Sequence, residues 1–141
     1  MKIIGFNFTK IQAERKKPAK GELKIDTNLK IDNIEKETID IAGDILKFSY
    51  SYEIKYNPEF AEVFFKGEIL IVPDNIKQVM KDWKKKMIKD EIRIPLFNYI
   101  MAKCNLKALQ IEEDLGLPVH IPMPRFSQQP AQKSGSANYA G

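Results

Sequence analysis

The sequence predicts an α+β fold: a four-stranded antiparallel sheet, in meander or Greek-key order, followed by two helices packed on one face. Three observations lead there. The first half of the chain alternates apolar and polar residues with period two, the second half repeats near 3.6, and turn residues separate the segments. Side chains of a strand point alternately to opposite faces, so each alternating run is a strand with one side free to bury.

The stretch Asp44–Val72 is the centre of the sheet. Leu46, Phe48, Tyr50, Tyr52, Ile54 and Tyr56 share one parity, while Ile45, Lys47, Ser49, Ser51, Glu53 and Lys55 take the other. Asn57-Pro58-Glu59 is turn chemistry, because proline fixes φ and biases the residue before it away from helix. Ala61, Val63, Phe65, Gly67, Ile69 and Ile71 then alternate with a mixed set that includes Phe60, Phe64 and Leu70. This reads as a hairpin with apolar groups on both faces of its second strand. One face can bury against the chain's own helices, and the aromatic surplus on the other calls for a further partner.

Upstream, Ile4, Phe6 and Phe8 form a first strand, and the shift to Ile11 and Ala13 places a bulge near Thr9-Lys10. Glu14 to Gly21 is an aperiodic basic connection. From Glu22 to Ile34, Leu23, Ile25, Thr27, Leu29 and Ile31 face one way, and Lys24, Asp26, Asn28, Lys30 and Asp32 the other, a wet side. Ile39 and Ile41 extend this strand toward the turn at Gly43-Asp44.

Pro73-Asp74-Asn75 opens the helical half. Ile76, Val79, Met80, Trp83 and Met87 make one apolar stripe, and Lys77, Lys81, Lys84, Lys85, Lys86 and Lys89 cover the rest, a solvated amphipathic helix. Pro95 suits the first turn of a second helix and Gly116 its end. That helix carries two stripes: a broad one (Leu96, Phe97, Ile100, Met101, Cys104, Ala108, Ile111, Leu115) and a narrower one nearly opposite (Tyr99, Ala102, Leu106, Leu109). Covering a sheet uses only the first, so the second implies a subunit interface. Leu117 to Phe126 is a proline-stiffened apolar strap. Residues 1–126 form the expected domain, and residues 127–141 are a polar, disordered tail.

A chain of 141 residues, 43% hydrophobic and 30% charged with net charge +4, is one globular domain. It has no apolar run near the roughly 20 residues a bilayer span needs. The first residues lack a signal-peptide core, so the expected location is cytoplasmic. Cys104 is the lone cysteine, which excludes a disulfide within the chain and any multi-cysteine metal site. His120, the single histidine, sits among prolines and apolar residues and reads as structural. Cys104 falls on the broad stripe as a small hydrophobe, and Glu112-Glu113-Asp114 reads as a solvated helix end. No phosphate loop, metal-spaced cluster or nucleophile elbow is present. The expectation is a protein that is not an enzyme and carries no cofactor.

The order of elements, with Ile94-Pro95-Leu96-Phe97-Asn98-Tyr99 opening the long helix, Leu115-Gly116-Leu117-Pro118 ending it and Ile121-Pro122-Met123-Pro124-Arg125-Phe126 following, resembles the SecB export-chaperone family. Asn98 stands where that family usually has proline, and Met101 and Ala102 where it has arginine and glutamate. The family's last helix is replaced by the polar tail, and this chain is basic where the family is often acidic. The last two differences count against a SecA-type motor as partner. The resemblance implies a homotetramer, a dimer of dimers whose long helices meet, with unfolded clients in apolar grooves. The function expected is an ATP-independent holdase for non-native polypeptides. Tyr50, Tyr52, Tyr56, Phe60, Phe64, Phe97 and Leu117 are the expected client-binding residues, and Tyr99, Ala102, Leu106 and Leu109 the interface. Two alternatives share the surface: a dedicated chaperone controlling one antitoxin, and an RNA-binding module using Lys81, Lys84, Lys85 and Lys86 with the Arg15–Lys20 loop. Nucleic acid is the less favoured partner.

Overall fold

The structure, a computed structural model, describes residues 1–17, 21–41 and 43–124. The tail beyond Phe126, and Phe126 itself, lie outside them. Strands β1 (Lys2–Arg15), β2 (Lys24–Ile39), β3 (Gly43–Asn57) and β4 (Ala61–Val72) form one sheet in the order β1-β4-β3-β2, each neighbouring pair antiparallel. Of the two orders the sequence allows, this is the Greek key: β2, β3 and β4 are hairpin neighbours and β1 lies beside β4. β1 and β2, consecutive in the chain, therefore form the two edges of the sheet.

Register explains why the hairpin needs only one cover. Tyr50 lies opposite Ile31 and Gly67, Tyr52 opposite Leu29 and Phe65, and Tyr56 opposite Ile25 and Ala61. Directly opposed residues share a face. The aromatic parity of β3 and the Ala61–Ile71 parity of β4 are thus the same side of the sheet, and they are buried together with Phe48, Ile54, Val63 and Ile69. The opposite side holds a polar lattice. Lys47 sits among Glu37 at 2.9 Å, Glu68 at 3.5 Å and Glu35 at 3.6 Å, and its hydrogen bond to Glu37 helps hold the ammonium protonated well above the ordinary lysine range.

Bulges adjust this pattern. The β1 register shifts between Phe8 and Lys10, where the parity change placed it, and again between Ile3 and Gly5. The second shift turns Ile3 inward and leaves Ile4 exposed, against the simple alternation of Ile4 with Phe6. A third shift, between Ile31 and Asn33, moves the inward parity of β2 from odd to even, so that Ile34 is buried opposite Phe48.

Helix α1 (Ile76–Trp83) starts at Asn75, whose side chain accepts from the Gln78 amide at 3.1 Å. It is shorter than its stripe suggests. Lys86 turns left-handed at φ 58, Met87 N–H donates to the Asp82 carbonyl at 3.1 Å, and Lys86 N–H donates to that of Trp83 at 2.7 Å. This is a Schellman closure. Helix α2 (Asp90–Leu115) begins before Pro95 instead of at it. Asp90 and Glu91 favour the positive helix start, and Arg93 donates to Asp90 at 2.8 Å. Pro95 and Glu91 are both exposed, so water can serve the Glu91 carbonyl that Pro95 cannot. Gly116, left-handed at φ 65, closes α2 as Leu117 N–H donates to the Glu112 carbonyl at 2.8 Å.

The inner ridge of α2 is Leu96, Ile100, Cys104 and Ala108, all fully buried over the sheet. Beneath it the Tyr50 ring crosses Gly67 to reach the Asn7 carbonyl on β1. An added Cβ at Gly67 would overlap both the Tyr50 hydroxyl and that carbonyl oxygen. Gly67→Ala is expected to lower unfolding free energy by about 1–3 kcal/mol, the usual range for overpacking, measured by urea denaturation; an unchanged midpoint would mean the ring does not lie there.

Candidate functional site

Two features of the fold bear on function: a buried polar chain that fixes the strap, and an apolar helix face left partly uncovered. The chain joins β3, α2 and the strap. Tyr56 donates to Glu112, and His120 Nδ1 lies 2.9 and 3.1 Å from the two Glu112 oxygens. His120 Nε2 lies 2.9 Å from Asn105 Oδ1 and 3.0 Å from the Tyr52 hydroxyl, which itself donates to Asn105 at 2.8 Å. Nδ1 faces only carboxylate oxygens, so its hydrogen points at Glu112. The side chains of His120 and Glu112 are 1% and 0% exposed. Among the described residues no buried side-chain polar atom lacks a partner. Burial drives the Tyr52 and Tyr56 phenols above the usual tyrosine range, with Glu112 adding to both. Burial likewise pushes the Cys104 thiol up to about 12, the nearby Tyr50 hydroxyl opposing it.

These residues correct the reading of Glu112 as a solvated end: it is fully buried. Its neighbours Glu113 and Asp114 are exposed, as expected. The signal was present, because Glu112 is the next step of the four-residue ladder Leu96, Ile100, Cys104, Ala108. Asn105, the other polar link, had no such signal. His120 does sit as a structural group. Through it the strap is latched to the helix and the sheet.

The expected client groove requires a larger correction. Tyr50, Tyr52, Tyr56, Phe60 and Leu117 are core residues, because α2 and the strap cover the hairpin's aromatic side. Tyr52 stacks on Phe65 at 5.6 Å and Tyr50 on Phe6 at 5.4 Å. In this conformation they offer a client no surface. Phe64 is half-buried on the opposite side of the sheet, between Lys10 at 5.7 Å and Lys66 at 6.0 Å. Phe97 is half-buried on α2. The seven residues are not one groove.

The narrow stripe of α2 lies partly outside and partly against the chain's own core. Tyr99 is half-buried edge-on to Phe6 at 5.9 Å, Ala102 is exposed, Leu109 is half-buried, and Leu106 is 64% exposed. Val119 and Met123 on the strap, and Ile94 at the start of α2, are exposed as well. A separate cavity of about 290 Å³ lies between α1 and the start of α2, lined by Asp74, Val79, Asp82, Ile88, Glu91 and Ile92 among others. No cluster of metal-ligating side chains occurs among the described residues, and no described helix is long and apolar enough to cross a membrane.

A Greek-key sheet covered by one long helix, with a strap returning over it, is a SecB-like fold. The solved SecB-like chaperone Rv1957 of Mycobacterium tuberculosis, in complex with a ChAD peptide from the HigA1 antitoxin Rv1956, superposes with a TM-score of 0.54 at 15% identity, over 89% of this chain and 86% of that one. No family model matches the chain, and no curated protein matches it in sequence.

Two measurements check the buried chain. His120→Ala is expected to destabilise the fold by about 3 kcal/mol, since it leaves the Glu112 carboxylate buried with one partner fewer; a loss under about 0.5 kcal/mol, within the range of ordinary surface substitutions, would contradict the latch. Cys104 should resist alkylation at neutral pH in the native protein and react on denaturation, because the thiolate is the nucleophile.

Proposed function

We propose that this chain is an ATP-independent chaperone that binds non-native polypeptides through uncovered apolar surface, acting as a homo-oligomer in the cytoplasm. The observation that carries the reading is the outer face of α2. Its inner ridge already serves the sheet, yet Leu106 stands 64% exposed in line with Tyr99, Ala102 and Leu109. Water is a poor neighbour for such a face, and burial is worth about 25 cal/mol per Å² of apolar area. A second copy across this stripe is the most economical cover, with a dimer of dimers as the assembly proposed. Exposed Ile94, Val119 and Met123, with half-buried Phe97 and Phe64, then supply the surface for clients. Binding would be broad in sequence, since adaptable apolar side chains accept many partners. The likeness in fold to a SecB-like chaperone supports the reading. An export motor forms no part of it.

A second reading, a chaperone dedicated to one partner, draws on the antitoxin peptide held by the solved neighbour. Pull-down separates the two: many clients support the general holdase, and one stoichiometric protein the dedicated form.

Phe64→Ser with Phe97→Ser is expected to leave the oligomer intact and weaken suppression of client aggregation several-fold, read by light scattering of a chemically unfolded client. Full suppression by the double variant would remove both rings from the client surface.

A further inference from the structure

The charge of this protein is concentrated at one place. Residues 77–86 hold five of the 23 basic residues (Lys77, Lys81, Lys84, Lys85, Lys86) and one of the 19 acidic ones (Asp82), so the remaining chain has 18 of each and is neutral. The whole formal excess of +4 belongs to α1 and the turn after it. Elsewhere many of the described lysines are paired, among them Lys16 with Glu62, Lys17 with Glu59, Lys30 with Asp32, Lys36 with Asp44, and Lys55 with Glu53, and those without a carboxylate partner, such as Lys10, Lys66 and Lys103, are spread over the sheet and α2. Among the described residues none of the five α1 lysines meets a carboxylate within 4.0 Å, although Asp82 lies among them. Asp82 is occupied instead, by Lys89 at 3.9 Å and by Gln78 at 2.8 Å.

The turn geometry adds an independent point. Both helices end in the same Schellman closure, α2 with Gly116 at the left-handed position and α1 with Lys86. A side chain there is strained, so glycine is the usual occupant. Lys86 instead puts a third consecutive ammonium at the tip, its Nζ 4.5 Å over the Trp83 ring.

We propose that the tip of α1, with Lys81, Lys84, Lys85 and Lys86, is an electrostatic capture site for acidic, unfolded polypeptide segments. This rests on the polypeptide-binding reading above and narrows its client class. Other polyanions fit less well. The ring of Trp83 is half-buried and already carries Lys86, which leaves bases no free stacking platform. The apolar stripe of α1 packs inward, with Val79 buried and Ile76, Met80 and Trp83 half-buried, leaving only Met87 exposed nearby to enter a bilayer. A compact field of one sign accelerates encounter with the opposite sign by 10-fold or more, an effect that salt removes.

The test uses two unstructured synthetic peptides of equal apolar content, one Glu-rich and one Lys-rich, with stopped-flow association to the full chain. The Glu-rich peptide should associate about 10-fold faster at low salt, and the advantage should vanish near 0.5 M salt, where screening acts within a few Å. Lys81→Gln, Lys84→Gln and Lys85→Gln together should erase it. Lys86→Gly should reduce it without lowering the melting temperature, since glycine suits the left-handed turn. Equal rates for both peptides, or an advantage untouched by these substitutions, would overturn the inference while leaving polypeptide binding in place. Binding of neither peptide would overturn both. Salt-steep binding of oligouridylate or of anionic phosphatidylserine vesicles, lost in the triple variant and without any preference for the Glu-rich peptide, would assign the tip to another polyanion and overturn it too.

Discussion

A helix can lay only one side on a sheet. In this protein that constraint organises everything: α2 gives Leu96, Ile100, Cys104 and Ala108 to the core and has apolar residues left over. The sheet is shaped to receive the first side. Its aromatic parity from β3 and the Ala61–Ile71 parity from β4 fall on one face, and Gly67 makes room for the Tyr50 ring beneath the helix. The strap is then held down by a polar latch, Glu112 and His120, which could not be buried without each other and without Tyr52, Tyr56 and Asn105. What remains outside is the second side of α2, and the functional reading grows from that remainder.

The two faces of the sheet divide the labour. One is dry and aromatic. The other is a lattice of paired charges around Lys47, with Phe64 set between two lysines. Outside residues 77–86 basic and acidic residues are equal in number, so the clustered lysines of α1 and its turn carry the formal excess. Surface pairs of this kind add little stability each, but they decide where the external field is and is not.

Much of the fold was legible because period and parity are local. The β3–β4 hairpin, the bulge of β1 near Thr9-Lys10, the opening of the helical half at Pro73-Asp74-Asn75 and both stripes of α2 could be read from spacing and turn residues. Which layer covers a given face is not a local property. Nothing in Tyr50, Tyr52 and Tyr56 tells whether their side meets this chain's helix or a partner, and that depends on the register which puts Ala61–Ile71 on the same side. Hence Tyr50, Tyr52, Tyr56 and Phe60 proved to be core, while Phe64 lies half-buried on the other face. Glu112 was misread for a related reason: its charge suggested water, whereas its position in the ladder with Ala108 placed it inside, where Tyr56 and His120 satisfy it. The start of α2 was placed late because Pro95 is a frequent first-turn residue, and here the acidic pair Asp90-Glu91 set the start instead.

The account turns on whether the outer face of α2 is covered in solution. Sedimentation velocity across a range of concentrations measures this directly. A species of at least twice the 16.3 kDa chain mass, converted toward monomer by Leu106→Lys without loss of fold, is the result expected. A strict monomer at every concentration, unchanged by that substitution, would contradict it.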